Sequence, residues 1–379
     1  MADNTKTIKG YALEIIKTKY SNSLSYDVYR GLYRITKNDE YITLDACDFA
    51  YMLLEEYDID IAPSALEPLL KKNSTHFNVI ENYLTICHNE HGTNNAIDTL
   101  CKQVLKCKTQ IEEIYVKKFL VSAVARVIKP GCKVDTMFVL RSTRGGLGKT
   151  TFFTELASLD YFSTIQGKLN MTELQKLCSN NWIVEFGELE TLINKSNLAQ
   201  FKGFLTAQTD EWRMFYQTSK TEKIPRSYVV VGTTNKKQFL CDQDSENERR
   251  FWIVEIDSQI DIDWVKLNRD RIWAEACHLY KEGYQWWLTD EETAIHDQHS
   301  TTYKVVNPIE YAIVQHVKDK YLDTSTPFTL TEVLKELDLS VSKYQILASD
   351  VLQKELGLKK PINPTIYKNS RKRWWNNQG

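Results

Sequence analysis

From Thr143 to Thr150 the chain reads Thr-Arg-Gly-Gly-Leu-Gly-Lys-Thr. Glycines let a backbone turn tightly enough for successive N–H groups to converge on an anion. A helix starting there adds its partial positive charge. Lys149 then reaches the β- and γ-phosphates of a nucleoside triphosphate, and the Thr150 hydroxyl holds Mg²⁺. Arg144, Gly145, Gly146, Leu147, Gly148, Lys149, Thr150 and Thr151 are therefore the candidate ATP cradle. The usual pattern opens on glycine, whereas this chain has Thr143, which puts the loop backbone in question but not the lysine.

A phosphate loop needs acids and a polar group to handle the attacking water. Trp182-Ile183-Val184-Glu185-Phe186-Gly187-Glu188 is a short apolar run ending in acids. Glu185 is expected at the strand end as the magnesium carboxylate and Glu188 just beyond it, one of the two polarising water. Ser227 to Gly232 reads as a buried strand tipped by Thr233-Thr234-Asn235, so Asn235 can sense γ-phosphate and water together. Arg249-Arg250 then enters another strand, placed to stabilise transition-state charge, in oligomeric ATPases by reaching a neighbour's site.

These residues need elements to hold them. Met137 to Leu140 reads as the strand before the loop, and Ile111 to Lys129 as a helix stopped at Pro130-Gly131. Residues 1–110 read as a mostly helical domain. Within it, Asp58-Ile59-Asp60 lacks the partner motif of a metal site, and Cys87, His88 and His91 lack a fourth ligand, so a solvated loop is expected there. Trp212 to Arg226 reads as a hairpin with a basic tip, Lys220 and Lys223 being the candidate DNA contacts. His296 to Lys304 reads as a linker. Residues 306–379 read as three helices, with a capping box at Thr329 and Glu332, and a wing at Lys359 to Tyr367. That is a winged-helix pattern, whose third helix would enter a major groove. Arg371, Lys372 and Arg373 beside Trp374 and Trp375 suit phosphate contact and stacking.

Composition sets the bounds. The 379 residues carry 48 Lys+Arg against 50 Asp+Glu, so any nucleic-acid surface must be local. No apolar run is long enough to span a membrane, and the N-terminus, MADNTKTIKG, has no apolar core for a secretory signal. Eight scattered cysteines with no C-x-x-C pair fit reduced thiols and a cytoplasmic setting.

PGCKVDTMFVL, GGLGKTTFFTELA, NWIVEFGELE, PRSYVVVGTTN and NERRFWIVEI, in that order, resemble the virulence-associated protein E family over roughly residues 115–260. The resemblance implies an α/β P-loop core of AAA+ type, related to superfamily-three helicases of phages and genomic islands. With it come ATP and Mg²⁺ as cofactors, a homo-oligomeric ring of six subunits on DNA, and ATP-driven unwinding during replication of a mobile element, with replication proteins as further partners. Lys149 and Thr150 match the family's loop, Glu185 and Glu188 its acids, Asn235 its sensor, Arg249 and Arg250 its arginines, and the Lys220 region its pore hairpin. The expected architecture is a helical N-terminal domain (1–110), an ATPase domain (111–300) and a winged-helix-like domain (306–379). A P-loop switch assembling on DNA or a partner without unwinding is the alternative.

Overall fold

The computed structural model describes residues 7–37, 40–167, 171–192, 198–213, 221–240, 249–304, 307–322 and 328–358. They divide into two compact units, Met1–Tyr303 and Lys304–Gly379. The strands of the larger unit are β1 (Ser25–Asp27), β2 (Leu32–Lys37), β3 (Glu40–Leu44), β4 (Thr75–Phe77), β5 (Met137–Ser142), β6 (Phe162–Ile165), β7 (Ile183–Phe186), β8 (Thr209–Arg213), β9 (Thr221–Pro225), β10 (Val229–Thr234) and β11 (Phe251–Ile256).

Five of them form an all-parallel sheet in the order β11-β5-β10-β7-β6. Strands covered on both faces read as unbroken apolar runs, and β5, β7 and β10 are buried at every position. Helix Gln110–Ile128, entered through a capping box of Thr109 and Glu112, packs on this sheet with Phe119 stacked 4.6 Å from Phe138. Trp273, on helix Ile262–Lys281, lies 4.2 Å from Trp182. Because the strands run the same way, the turns that follow them gather along one edge. β10 sits between β5 and β7, so the chain's late strand tip falls between the loop and the acid.

The expectation of a helical N-terminal domain missed a sheet. β3-β2-β1-β4 form a mixed four-stranded layer, antiparallel except for β1 against β4. β1 and β4 are three residues each, too short for alternation to show in sequence. Helices Ile8–Lys19, Ala46–Tyr57 and Pro63–Asn73 share a core with it that includes Ile16, Tyr33, Phe49 and Leu66. Helix Val79–His91, though it precedes residue 110, buries Ile80, Leu84 and Cys87 in the core of the parallel sheet. Cys87, His88 and His91 thus lie on a helix where a loop was expected. Asp58 is the left-handed residue (φ 56°) that ends helix Ala46–Tyr57, and no metal-holding cluster occurs among the described residues.

A second correction concerns His296 to Lys304. The stretch is helix Asp290–Ser300 followed by a tight turn, Thr301–Tyr303. His296 is fully buried, its Nδ1 2.6 Å from the Tyr115 hydroxyl, and Ser300 and Tyr303 are buried after it. Polar composition hid an inward face at helical spacing, and the capping box of Thr289 and Glu292 was the unused signal.

In the smaller unit, helices Pro308–Val317, Leu330–Glu336 and Val341–Leu356 close a core of Ile313, Val317, Leu334, Ala348 and Leu352. The Thr329–Glu332 capping box is formed. The expected wing at Lys359 to Tyr367 and the basic tail with Arg371, Lys372 and Arg373 lie outside the described residues. Glu336 ties the helices together, meeting His316 Nε2 at 2.6 Å, Lys320 Nζ at 2.8 Å and the Tyr321 hydroxyl at 2.8 Å. Burial pushes its pKa up, but those three partners outweigh it and hold the carboxyl at about 2. A carboxylate depressed in the fold adds stability that is complete above its unfolded value, about 4.3, and lost as pH falls toward the folded one. Glu336→Gln should therefore speed amide exchange of residues 308–356 at pH 6, and the gap to the parent should close between pH 4 and 2. An equal gap at both ends of that range would overturn this.

Candidate nucleotide site

The loop after β5 is set by two glycines. Gly146 and Gly148 have φ of 78° and 85°, a region closed to most side chains. A Cβ on Gly148 would also stand 3.4 Å from both Ile262 Cδ1 and Gln259 Nε2. Thr143 has no positive φ, so the departure from the usual glycine costs the loop nothing. Helix Lys149–Ala157 starts at the loop's end, with Gly148 as its left-handed cap. Arg144, Gly145, Thr150 and Thr151 are exposed, and Leu147 is buried under the loop, its carbonyl accepting Ile260 N at 3.1 Å.

Lys149 is not the surface residue that a loop position implies. It is 8% exposed and donates to Ser142 Oγ and, at 2.7 Å, to Asn235 Oδ1. Ser142 Oγ donates to Arg144 O at 2.6 Å. Burial lowers the Lys149 pKa, and Glu185 pulls it back up in part. The ammonium is thus held in a polar socket that a phosphate oxygen would complete.

Glu185, on β7, is completely buried and accepts three hydroxyls: Thr150 at 2.8 Å, Thr233 at 2.6 Å and Thr164 at 3.1 Å. Each comes from a different element, and the sheet order puts them there. Glu188 lies exposed on the following turn in a left-handed conformation (φ 51°). Glu190, beyond it, accepts the Thr234 hydroxyl at 2.6 Å, and Thr234 Oγ1 in turn accepts Lys236 N at 3.1 Å. This clamp spans Asn235 on both sides. Ser142, Thr164, Thr233 and Glu190 were missed by the sequence reading. Thr164 and Val231 flank Glu185 in register, so only the strand order would have revealed the first.

The acidic turn depends on a close approach. A Cβ on Gly232 would fall 2.4 Å from Leu189 Cδ1 and 3.1 Å from Met137 Sδ. Gly232→Ala should push Leu189 and the turn carrying Glu188 and Glu190 outward, at a cost on the order of 1–3 kcal/mol. Urea unfolding checks the stability and phosphate release the activity. An unshifted midpoint would show that the contact yields freely.

Beside the loop, Arg141 meets Glu255 at 2.6 Å and Lys108 meets the same carboxylate at 2.8 Å. Burial raises the Glu255 pKa, but the two cations hold it below the usual range. Arg249 and Arg250 are elsewhere. They precede Phe251, which pairs with Met137 at the start of β5, whereas the loop follows Ser142 at its end. At about 3.3 Å per residue, a strand of this length keeps them roughly 15–20 Å from the loop of their own chain. Arg249 is exposed.

The expected hairpin exists as β8 paired antiparallel with β9. Lys220 lies outside the described residues; Lys223 is on the stem, 3.2 Å from Glu211. The stem is anchored by Arg226, which donates Nε to Asp210 Oδ1 at 2.8 Å, while Tyr228 donates to Asp210 Oδ2 at 2.9 Å.

Strand, glycine loop, buried lysine, hydroxyl-bound acid and polar strand tip together define a P-loop nucleotide-binding domain of the α/β class. The chain belongs to the virulence-associated protein E-like domain family, whose description matches residues 84–305. Membership implies nucleotide binding and points to an NTPase. The matched stretch begins inside helix Val79–His91. In fold the chain is similar to the apo C-terminal region of NrS-1, with a TM-score of 0.51 and 12% identity over 98% of this chain and 99% of that one. The A form of the same region has a TM-score of 0.49 at 12% identity, covering 98% and 100%. No curated protein matches by sequence. No described helix is long and apolar enough to cross a membrane.

Proposed function

We propose that this chain is a ring-forming, Mg²⁺- and ATP-dependent DNA helicase or replication initiator of a mobile genetic element, its core of AAA+ type and its C-terminal unit a winged-helix-like DNA reader. The observation that carries the reading is the meeting of Lys149, Thr150, Glu185 and Asn235 at one sheet edge. On binding ATP, Lys149 would turn from Ser142 and Asn235 to phosphate oxygens, and the anion would relieve the cost of its burial. Asn235, released, can touch the γ-phosphate and the attacking water, and Glu185 and Glu188 are the carboxylates available to polarise that water. Thr150 and Glu185 offer hard oxygen donors 2.8 Å apart, which suits Mg²⁺. When bound, the metal would supply charge neutralisation on the triphosphate.

The test is ATP-dependent strand displacement on a forked duplex by the purified chain, run beside Lys220→Ala. The parent should displace the strand, and the variant should keep basal ATPase while losing displacement and DNA stimulation. A parent that hydrolyses ATP without displacing any strand would turn the reading to the non-unwinding switch. One observation already favours that switch: Lys223, one of the two hairpin cations, faces Glu211.

A further inference from the structure

At the sheet edge opposite the phosphate loop lies a cleft of about 610 Å³, within the size range of ligand sites. It is bounded by Tyr26 of β1 and the turn after it (Val28 to Gly31), by the stem of the hairpin at Ile224 to Arg226, and by Pro130. Its walls are fixed. Tyr29 is buried and donates its hydroxyl to Asn181 O at 2.7 Å, tying the N-terminal sheet to the start of β7. Arg226, 2% exposed, forms the floor, locked onto Asp210 and lying over the Phe204 ring at 4.4 Å.

The charges facing the cleft are unequal. Its two carboxylates are already matched, Asp210 to Arg226 at 2.6 Å and Glu67 to Lys71 at 3.4 Å. Arg30 has no carboxylate partner and makes no side-chain hydrogen bond among the described residues; its guanidinium rests over the Tyr161 ring at 5.5 Å. Val28, beside it, is 48% exposed, an apolar side chain with nothing covering it. Apolar walls of Tyr26, Pro130, Pro225 and Ile224 thus adjoin Arg30, whose donors are free to fork onto a phosphate.

We infer that this cleft binds a nucleotide unit, its planar base against the tyrosine and proline walls and its phosphate on Arg30. The site rests on the proposed DNA role for its natural source, a single strand leaving the hairpin, whose stem forms one wall. It lies on the edge away from Lys149, so it is separate from the ATP cradle.

Two variants test it in the full chain. Arg30→Ala removes the phosphate ligand, and Val28→Trp fills the cleft from an exposed position. The probes are a fluorescent oligodeoxythymidine of about 15 nucleotides and free thymidine monophosphate, with ultraviolet crosslinks mapped by mass spectrometry. Both variants should weaken oligonucleotide binding about tenfold, and Arg30→Ala should also flatten its salt dependence by about 0.7 of a slope unit, with basal ATPase unchanged in both. Crosslinks should fall between Tyr26 and Gly31. Loss confined to the monophosphate supports the same chemistry with a free nucleotide as its source. If the parent hydrolyses ATP but binds no oligonucleotide, the DNA reading fails, and the monophosphate titration alone decides the cleft. If neither ligand responds to either variant and crosslinks avoid this turn, the inference is overturned.

Discussion

Lys149→Ala is expected to cut ATP hydrolysis by on the order of a hundred- to a thousandfold, the scale set by losing one cationic group from a developing phosphate charge. The structure gives the stability side of that result. The lysine is 8% exposed and donates to Ser142 and Asn235, so its removal vacates a socket and takes one donor from each of two polar side chains. Against this, a charge whose pKa is lowered by burial is taken out of the fold. The terms oppose, and the change in unfolding free energy should stay within about 2 kcal/mol. Lys149→Met separates them, since it keeps the stem and deletes only the ammonium. It should be as inactive as the alanine variant and closer to the parent in urea. Phosphate release at near the parent rate by either purified variant would remove the basis for the loop assignment.

What was readable in advance follows from how each element is held. β5, β7, β10 and β11 are apolar runs that end in a glycine turn, acids or a polar tip, and local pattern suffices for such strands. The glycine loop was readable because Gly146 and Gly148 need a backbone that few residues adopt. The Thr164 and Thr233 hydroxyls on Glu185 were not, because they depend on β6 and β10 flanking β7, a fact of topology and not of spacing. Glu190 was hidden for the same reason, its partner Thr234 standing on another strand. β1 and β4 failed on length, and His296 to Tyr303 failed on composition, where three inward residues were outnumbered by polar ones. Lys223 was read from its charge alone, and the facing Glu211 became visible only with the β8–β9 register.

The second large effect concerns Arg249 and Arg250, and the sheet geometry makes it sharper than sequence order did. Both precede the first residue of β11, at the sheet edge away from the loop. A side chain cannot cover the roughly 15–20 Å between, so an arginine acting on ATP from this position must act on another subunit's site. In a ring built from head-to-tail contacts, every interface joins one loop to one neighbouring arginine pair. Replacing both arginines by alanine should lower ATP hydrolysis on the order of a thousandfold, with Lys149 and Glu185 untouched. Mixing that inactive chain with inactive Lys149→Ala should then restore activity. Random assembly of equal amounts gives about a quarter of interfaces an intact loop facing an intact arginine pair, so recovery should approach that fraction of the parent rate. The recovered rate should also fall on dilution below the assembly concentration, which a contaminating ATPase would not do. If mixed oligomers form, shown by co-purification of differently tagged chains, and no activity returns, the arginines do not complete a neighbour's site. If the double alanine variant alone keeps the parent rate, they have no part in hydrolysis, and the charge on the transferred phosphate must be met by Lys149 and the cations around Glu255.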